Sequence, residues 1–205
     1  MRTTYLIILA VLVLASCNRQ VQINYTSKGR AHYNLSAGEE AMLDSIQQKT
    51  FQFFLIEHHP EWGIVKDRTA EWAPASIAST GFALPSFAVG VERNWITRDD
   101  AAMITLNTLD FFVNSVQSAD TAVTGYKGFY YHFLRMTTGT REWRCELSSV
   151  DTGLLLMGII FARNYYNLDN ETERRIRSQA DLILNRVEWN FMMMPDTGKY
   201  ARQIS

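Results

Sequence analysis

Two stretches of this chain are too apolar to present a solvent face and too short to cross a membrane. "ASIASTGFALPSFAVGV" (75–91) carries no charge, and neither does 154–161 within "CELSSVDTGLLLMGIIFARNYY". A helix without a polar side has to be covered all round, and a bilayer span needs about 20 apolar residues. Both are therefore expected as buried helices, with Pro85 kinking or breaking the first.

Elsewhere in the chain the pattern changes. Ser36-Ala37-Gly38-Glu39 is a capping box, and Leu43, Ile46 and Phe53 follow at helical spacing to about residue 57. Thr97-Arg98-Asp99-Asp100 caps a third helix with Ala102, Leu106, Leu109, Val113 and Val116 on one stripe. A fifth helix, about 171–189, gathers Ile176, Ala180, Ile183 and Val187 on one face, with its charged residues largely elsewhere. The order is amphipathic, buried, amphipathic, buried, amphipathic, with a long aromatic loop before each buried helix. A loop-to-loop spacing on the order of 65 residues signals an array. Amphipathic outer helices around buried inner ones predict an all-α, two-layered helical toroid, against the alternative of an irregular bundle. "GFYYHFLRMTTGTREW" inside the second long loop reads as a β-hairpin.

The N-terminus stands apart. A basic start and a short apolar run end in Leu14-Ala15-Ser16-Cys17, which resembles a bacterial lipobox. Residues 1–17 are expected to be a lipoprotein signal with Cys17 as the lipidated residue. Residues 18–35 are expected as a polar tether, leaving 36–205 as the folded domain. That reading implies a membrane-attached protein of the bacterial cell envelope. The formal net charge of −1 gives no reason to expect nucleic acid as a partner. Cys145, the second of two cysteines, is expected to be a small buried hydrophobe beside Trp143. No cofactor glycine pattern occurs, and His58 and His59 beside Glu57 lack a third spaced ligand, so neither cofactor nor metal is expected.

Candidate chemistry collects in the loops. Glu146 and Asp151 stand at the mouth of the second buried helix, where the helix dipole favours an ionised carboxylate. Ser148-Ser149-Val150-Asp151 is equally a capping box, so Asp151 also has a purely structural reading. Glu146 precedes the cap and has none. Five residues of helix would rotate through roughly 500° and set the two acids on different sides. Asp67 and Arg68 could form a turn-locking ion pair or line a cleft. Tyr130, Tyr131 and His132 could stack on a sugar or simply pack.

"GIVKDRT", "ASIASTGFALPSFAVGVERNWITRDDA", "GFYYHFLRMTTGTREW" and "ELSSVDTGLLLMGIIFA" together resemble the bacterial glycoamylase-like domain family. That family includes endo-β-1,2-glucanases of glycoside hydrolase family 144. The resemblance runs from about residue 43 to the C-terminus. It implies an (α/α)6 toroid and hydrolysis of β-glucan, β-1,2-linked, with inversion. It nominates Glu146 and Asp151 as catalytic, and Asp67, Arg68, Tyr131, His132 and Trp143 as substrate-binding. The chain departs from the family in length, since three helix–loop units cannot close a ring of six. The expectation is therefore an incomplete half-toroid of about five helices, the N-terminal half of a longer domain. A complementary C-terminal half would be a partner, and one of the two carboxylates needed for inversion could lie there. The competing expectation is a non-catalytic glycan-binding or vestigial lipoprotein.

Overall fold

The computed structural model describes residues 35–193. The signal run, Cys17, the tether and the loop after Met193 lie outside the described residues. Among the described residues five α-helices carry the fold: α1 (Ala37–Ile56), α2 (Ile77–Glu92), α3 (Arg98–Asn114), α4 (Ser149–Tyr165) and α5 (Glu171–Arg186), followed by a 3-10 turn at Trp189–Met192. None of the described helices is long and apolar enough to cross a membrane.

The two uncharged helices, α2 and α4, pack on each other, and α3 and α5 form the second layer. Their contacts differ in kind. At the inner crossing, a β-carbon on Gly158 would run into the Gly81 carbonyl, and one on Gly81 would meet the α4 backbone at Leu154 and Leu155. Of the two outcomes expected of Pro85, a break is not seen: α2 runs through it to Glu92. The proline lacks the N–H that would bond the Gly81 carbonyl four residues back. That freed carbonyl is the group seated against Gly158, where a C–H···O contact can receive it. In the outer layer Arg98 of α3 holds the buried Glu173 of α5 through Nε (2.8 Å) and Nη2 (3.0 Å). Glu173 falls on the buried side of α5, which the charge pattern alone had not indicated.

Not every uncharged face is covered. Val150, Met157, Ile160 and Phe161 of α4 are exposed, as is Phe82 of α2. The expectation that both helices are buried all round is met on the α2–α4 contact and not on the far face of α4. A β-carbon on Gly153, on that open face, would touch nothing within 4 Å.

Short strands cap one end of the inner pair. They are β1 (Ala75–Ser76), β2 (Gly125–Tyr126), β3 (Phe129–Tyr131), β4 (Phe133–Leu134) and β5 (Leu147–Ser148). β1 pairs antiparallel with β4, and β3 pairs antiparallel with both β2 and β5. The expected hairpin is present, closed by Arg135 N–H to the Thr140 carbonyl (2.8 Å) and Glu142 N–H to the Phe133 carbonyl (2.8 Å).

These strands reveal an internal repeat. Each inner helix follows a two-residue strand ending in a serine N-cap, Ser76 or Ser148. Four residues on, a buried threonine hydroxyl accepts a rim backbone N–H: Val65 to Thr80 and Tyr130 to Thr152, both at 3.0 Å. Two residues before those donors stand Gly63 (φ 64°) and Gly128 (φ 82°). Two residues after them, Asp67 N–H bonds the Pro74 carbonyl (2.9 Å) and His132 N–H bonds the Glu146 carbonyl (3.1 Å). The chain thus builds the same helix mouth twice, and Asp67 is the counterpart of His132.

Candidate active site

The second mouth concentrates the titratable groups. β3 ends at Tyr131, which hands His132 onto the rim. Its backbone is fixed on both sides, because its carbonyl accepts from Ile77 N–H (3.2 Å) and its N–H reaches the Glu146 carbonyl. Glu146 immediately precedes β5, and Asp151 lies in the first turn of α4.

The three side chains converge. His132 Nδ1 lies 2.9 Å from Glu146 Oε1 and 3.6 Å from Asp151 Oδ2. Nδ1 therefore carries the proton and donates to Glu146, which leaves Nε2 as the ring's other working nitrogen. Asp151 completes the cap: its N–H donates to Ser148 Oγ (3.0 Å), and Ser148 Oγ donates back to Asp151 Oδ2 (2.6 Å). The capping role expected of Asp151 is seen. The expectation that the two acids face different sides is not, because Glu146 lies ahead of β5 in extended chain, where helical rotation does not apply. Both reach one histidine.

Burial pushes the Glu146 carboxyl upward, but its own backbone N–H, the His132 imidazole and nearby Arg141 outweigh that and hold it below the usual carboxylate range. Glu146 is thus ionised at neutral pH, suited to accept a proton or orient His132 rather than to donate as an acid. One oxygen of Glu146, one of Asp151 and His132 Nδ1 all lie within 4.8 Å of one another. These three could ligate a cation in principle. His132 Nδ1–H is committed to Glu146, and Asp151 Oδ2 accepts from the Ser148 hydroxyl. One oxygen of Glu146 and one of Asp151 thus approach the same imidazole from two elements. Among the described residues His58 and His59 form no such cluster: His58 Nδ1 lies 2.7 Å from the Leu55 carbonyl, His59 stacks on Trp62, and Glu57 pairs with Lys66.

The remaining nominated residues fall into two settings. The His132 ring stacks on Phe133 (3.9 Å between centroids), and Phe133 meets the exposed Trp143 edge-on at 5.3 Å. Trp143 has a left-handed backbone (φ 51°) at the end of the hairpin, and its ring is exposed. Tyr131 is buried, with the Arg141 guanidinium 4.5 Å over its ring. It supports the site from beneath and offers no open face. Asp67 and Arg68 pair with each other at 2.6 Å at the first mouth, and Arg68 also sits 5.7 Å from the exposed Trp72 ring. Phe133, Arg141 and Trp72 were not anticipated. The Thr-Gly shared by 80–81 and 152–153 was the available signal for aligning the two mouths. Cys145 is half-buried, exchanges weak hydrogen bonds with Phe133 backbone, and has its thiol pushed up by burial, so it is not an activated nucleophile.

No family model matches the chain. Over 161 residues it is 26% identical to an exo β-1,2-glucooligosaccharide sophorohydrolase (non-reducing end) of Parabacteroides distasonis, covering 75% of this chain and 21% of that protein. A "putative glucoamylase" of Bacteroides uniformis superposes with a TM-score of 0.66 at 28% identity, over 77% of this chain and 38% of that one. An endo-β-1,2-glucanase of Chitinophaga pinensis, solved with sophorotriose and glucose, superposes at 0.64 and 20% identity, over 79% and 42%. The chain spans about a fifth of the curated relative it matches, and its five helices form part of a helical toroid of the kind those structures share. The likeness to bacterial glycoamylase-like proteins and β-1,2-glucan hydrolases that its motifs carry is thus present in both sequence and fold.

Proposed function

We propose that this chain supplies one wall of a β-glucan hydrolase cleft, acting on β-1,2-linked glucan with inversion. The observation that carries the reading is the Glu146–His132 pair fixed at the mouth of α4. A depressed carboxylate orients an imidazole there, beside the exposed Trp143. The relatives' β-1,2-glucan substrates agree with it. Glu146 serves as the ionised member, accepting a proton from water or holding His132 to do so. Asp151 positions the cap and His132. Trp143 and the Asp67–Arg68 loop bind sugar. The protonated partner carboxylate comes from elsewhere on the ring, since Asp151 is taken up by the Ser148 cap.

The reading extends to the rest of the molecule. Lipidation at Cys17 anchors the protein in the bacterial envelope, and a complementary part of the ring covers the open face of α4. Cys17→Ser should release the protein from membranes; a variant that still fractionates with them overturns the anchor. Release of sophorose or longer β-1,2-glucooligosaccharides, followed by chromatography for the ring-completed protein and its Glu146→Gln variant, tests the activity. Wild-type turnover lost in Glu146→Gln is the expected result.

The commitment of Asp151 to the Ser148 cap favours one second reading, a glycan-binding wall without turnover. Sophorotriose that binds in calorimetry but is never cleaved would select it.

A further inference from the structure

Beside the proposed cleft the hairpin encloses a second pocket, of about 600 Å³, whose wall is unusually cationic. Arg135, Arg141 and Arg144 line it with Trp143, Thr121 and Thr140, and no carboxylate residue is among its lining. Arg135 is neutralised by Glu142 at 3.3 Å. Among the described residues neither Arg141 nor Arg144 forms an ion pair. Arg141 is the more telling. Its guanidinium carbon lies 4.5 Å from the centre of the Tyr131 ring, which holds the side chain on this wall. A guanidinium recognises planar or tetrahedral oxyanions through paired N–H groups. Trp143, on the same wall, is more than half exposed and offers a face for a sugar ring.

We propose that this pocket is a subsite for an acidic sugar, in which Arg141 and Arg144 grip a phosphoryl, sulfo or carboxylate oxyanion while Trp143 carries the ring. It rests on the saccharide reading of the neighbouring cleft. It adds that the glycan taken by this chain bears negative charge on a unit lying next to the one held at Glu146.

Calorimetry of the full chain would compare glucose with glucose 6-phosphate, glucose 6-sulfate and glucuronate, with inorganic phosphate alone and sophorotriose as references. At least one acidic sugar should bind tenfold or more tightly than glucose, and the preference should fall as salt is raised. Arg144→Gln, at an exposed position that cannot endanger folding, should remove at least fivefold of that preference, and Arg141→Gln most of it. Trp143→Ala should weaken the acidic sugar while leaving inorganic phosphate unaffected. Equal affinity for acidic and neutral sugars overturns the proposal. So does inorganic phosphate binding as tightly as the sugar phosphate, or a preference that survives Arg144→Gln. Acidic sugar bound without sophorotriose would leave the pocket standing and remove the β-1,2-glucan reading; the reverse would leave the glucan reading and remove the pocket.

Discussion

The two inner-helix mouths share a frame and differ in chemistry. At both, a serine caps the helix, a buried threonine hydroxyl catches a rim N–H, and a left-handed glycine precedes the rim strand. Those shared groups satisfy backbone donors at a helix start that would otherwise be orphaned. Where the mouths diverge, the first holds Asp67, Pro74 and Ser79, and the second holds His132, Glu146 and Asp151. Frame and function can therefore be separated by position: what is repeated builds the mouth, and what is substituted decides what the mouth does. The far faces diverge too. The Gly81 side of α2 receives α4, whereas the Gly153 side of α4 is open among the described residues.

The sharpest way to break this division is to attack a divergent position and a shared one and ask which property moves. On the proposed function, Glu146→Gln in the ring-completed protein should cut kcat on β-1,2-glucan by about 100-fold or more, worth roughly 2.7 kcal/mol at 1.36 kcal/mol per decade. Its melting temperature at pH 7 should move little by comparison. Full activity in this variant would place the chemistry outside the second mouth.

Substituting the shared threonines should do the reverse. Thr80→Val and Thr152→Val each strand a buried backbone N–H and should cost about 1–3 kcal/mol in urea unfolding. Thr80 also donates to the Ser76 carbonyl (2.9 Å), so its loss should be the greater. If either variant is as stable as wild type, the repeated hydroxyl is not what holds the rim to the helix.

Glycine replacements probe the difference between the two far faces. Gly158→Ala pushes a methyl into the Gly81 carbonyl and should destabilise by about 1–3 kcal/mol. Gly153→Ala meets open space and should be neutral, or stabilising by up to about 1 kcal/mol through helix propensity. Equal losses at both sites would show that something already covers the Gly153 face of the chain in solution.

Much of this was legible beforehand, for physical reasons. Helix identity follows from apolar period, and the caps at Thr97 and Ser148 follow from side chains that can only serve one or two donors nearby. Glu146 stood out because no local structure explained it. What the sequence hid are relations across the chain. Nothing in residues 171–186 says that Glu173 turns inward, because its partner Arg98 is 75 residues away. Helical counting separated Glu146 from Asp151, yet a two-residue strand between them restores both to His132. Stacking on a sugar and simple packing were both open for Tyr131, and Arg141, ten residues on, is what lies over its ring.

The smallest expected effect concerns acid, and it isolates the divergent carboxylate from the shared frame. Glu146 titrates lower in the fold than its unfolded value of about 4.3. A depressed carboxyl binds fewer protons when folded, so it contributes stability above the unfolded value and loses it as pH falls through the folded one. Glu173 is also depressed: burial raises it, and Arg98 together with the Leu168 N–H more than compensates. Wild type should therefore lose stability on both accounts below about pH 4.3. Glu146→Gln removes one contribution and leaves the other, so its stability should fall less steeply over the same range while the two proteins differ by a constant amount at neutral pH. Melting curves from pH 7 down to pH 3 read the difference directly. Parallel curves would mean that His132 and Arg141 do not hold Glu146 ionised, and the second mouth would then lack the charged group that sets it apart from the first.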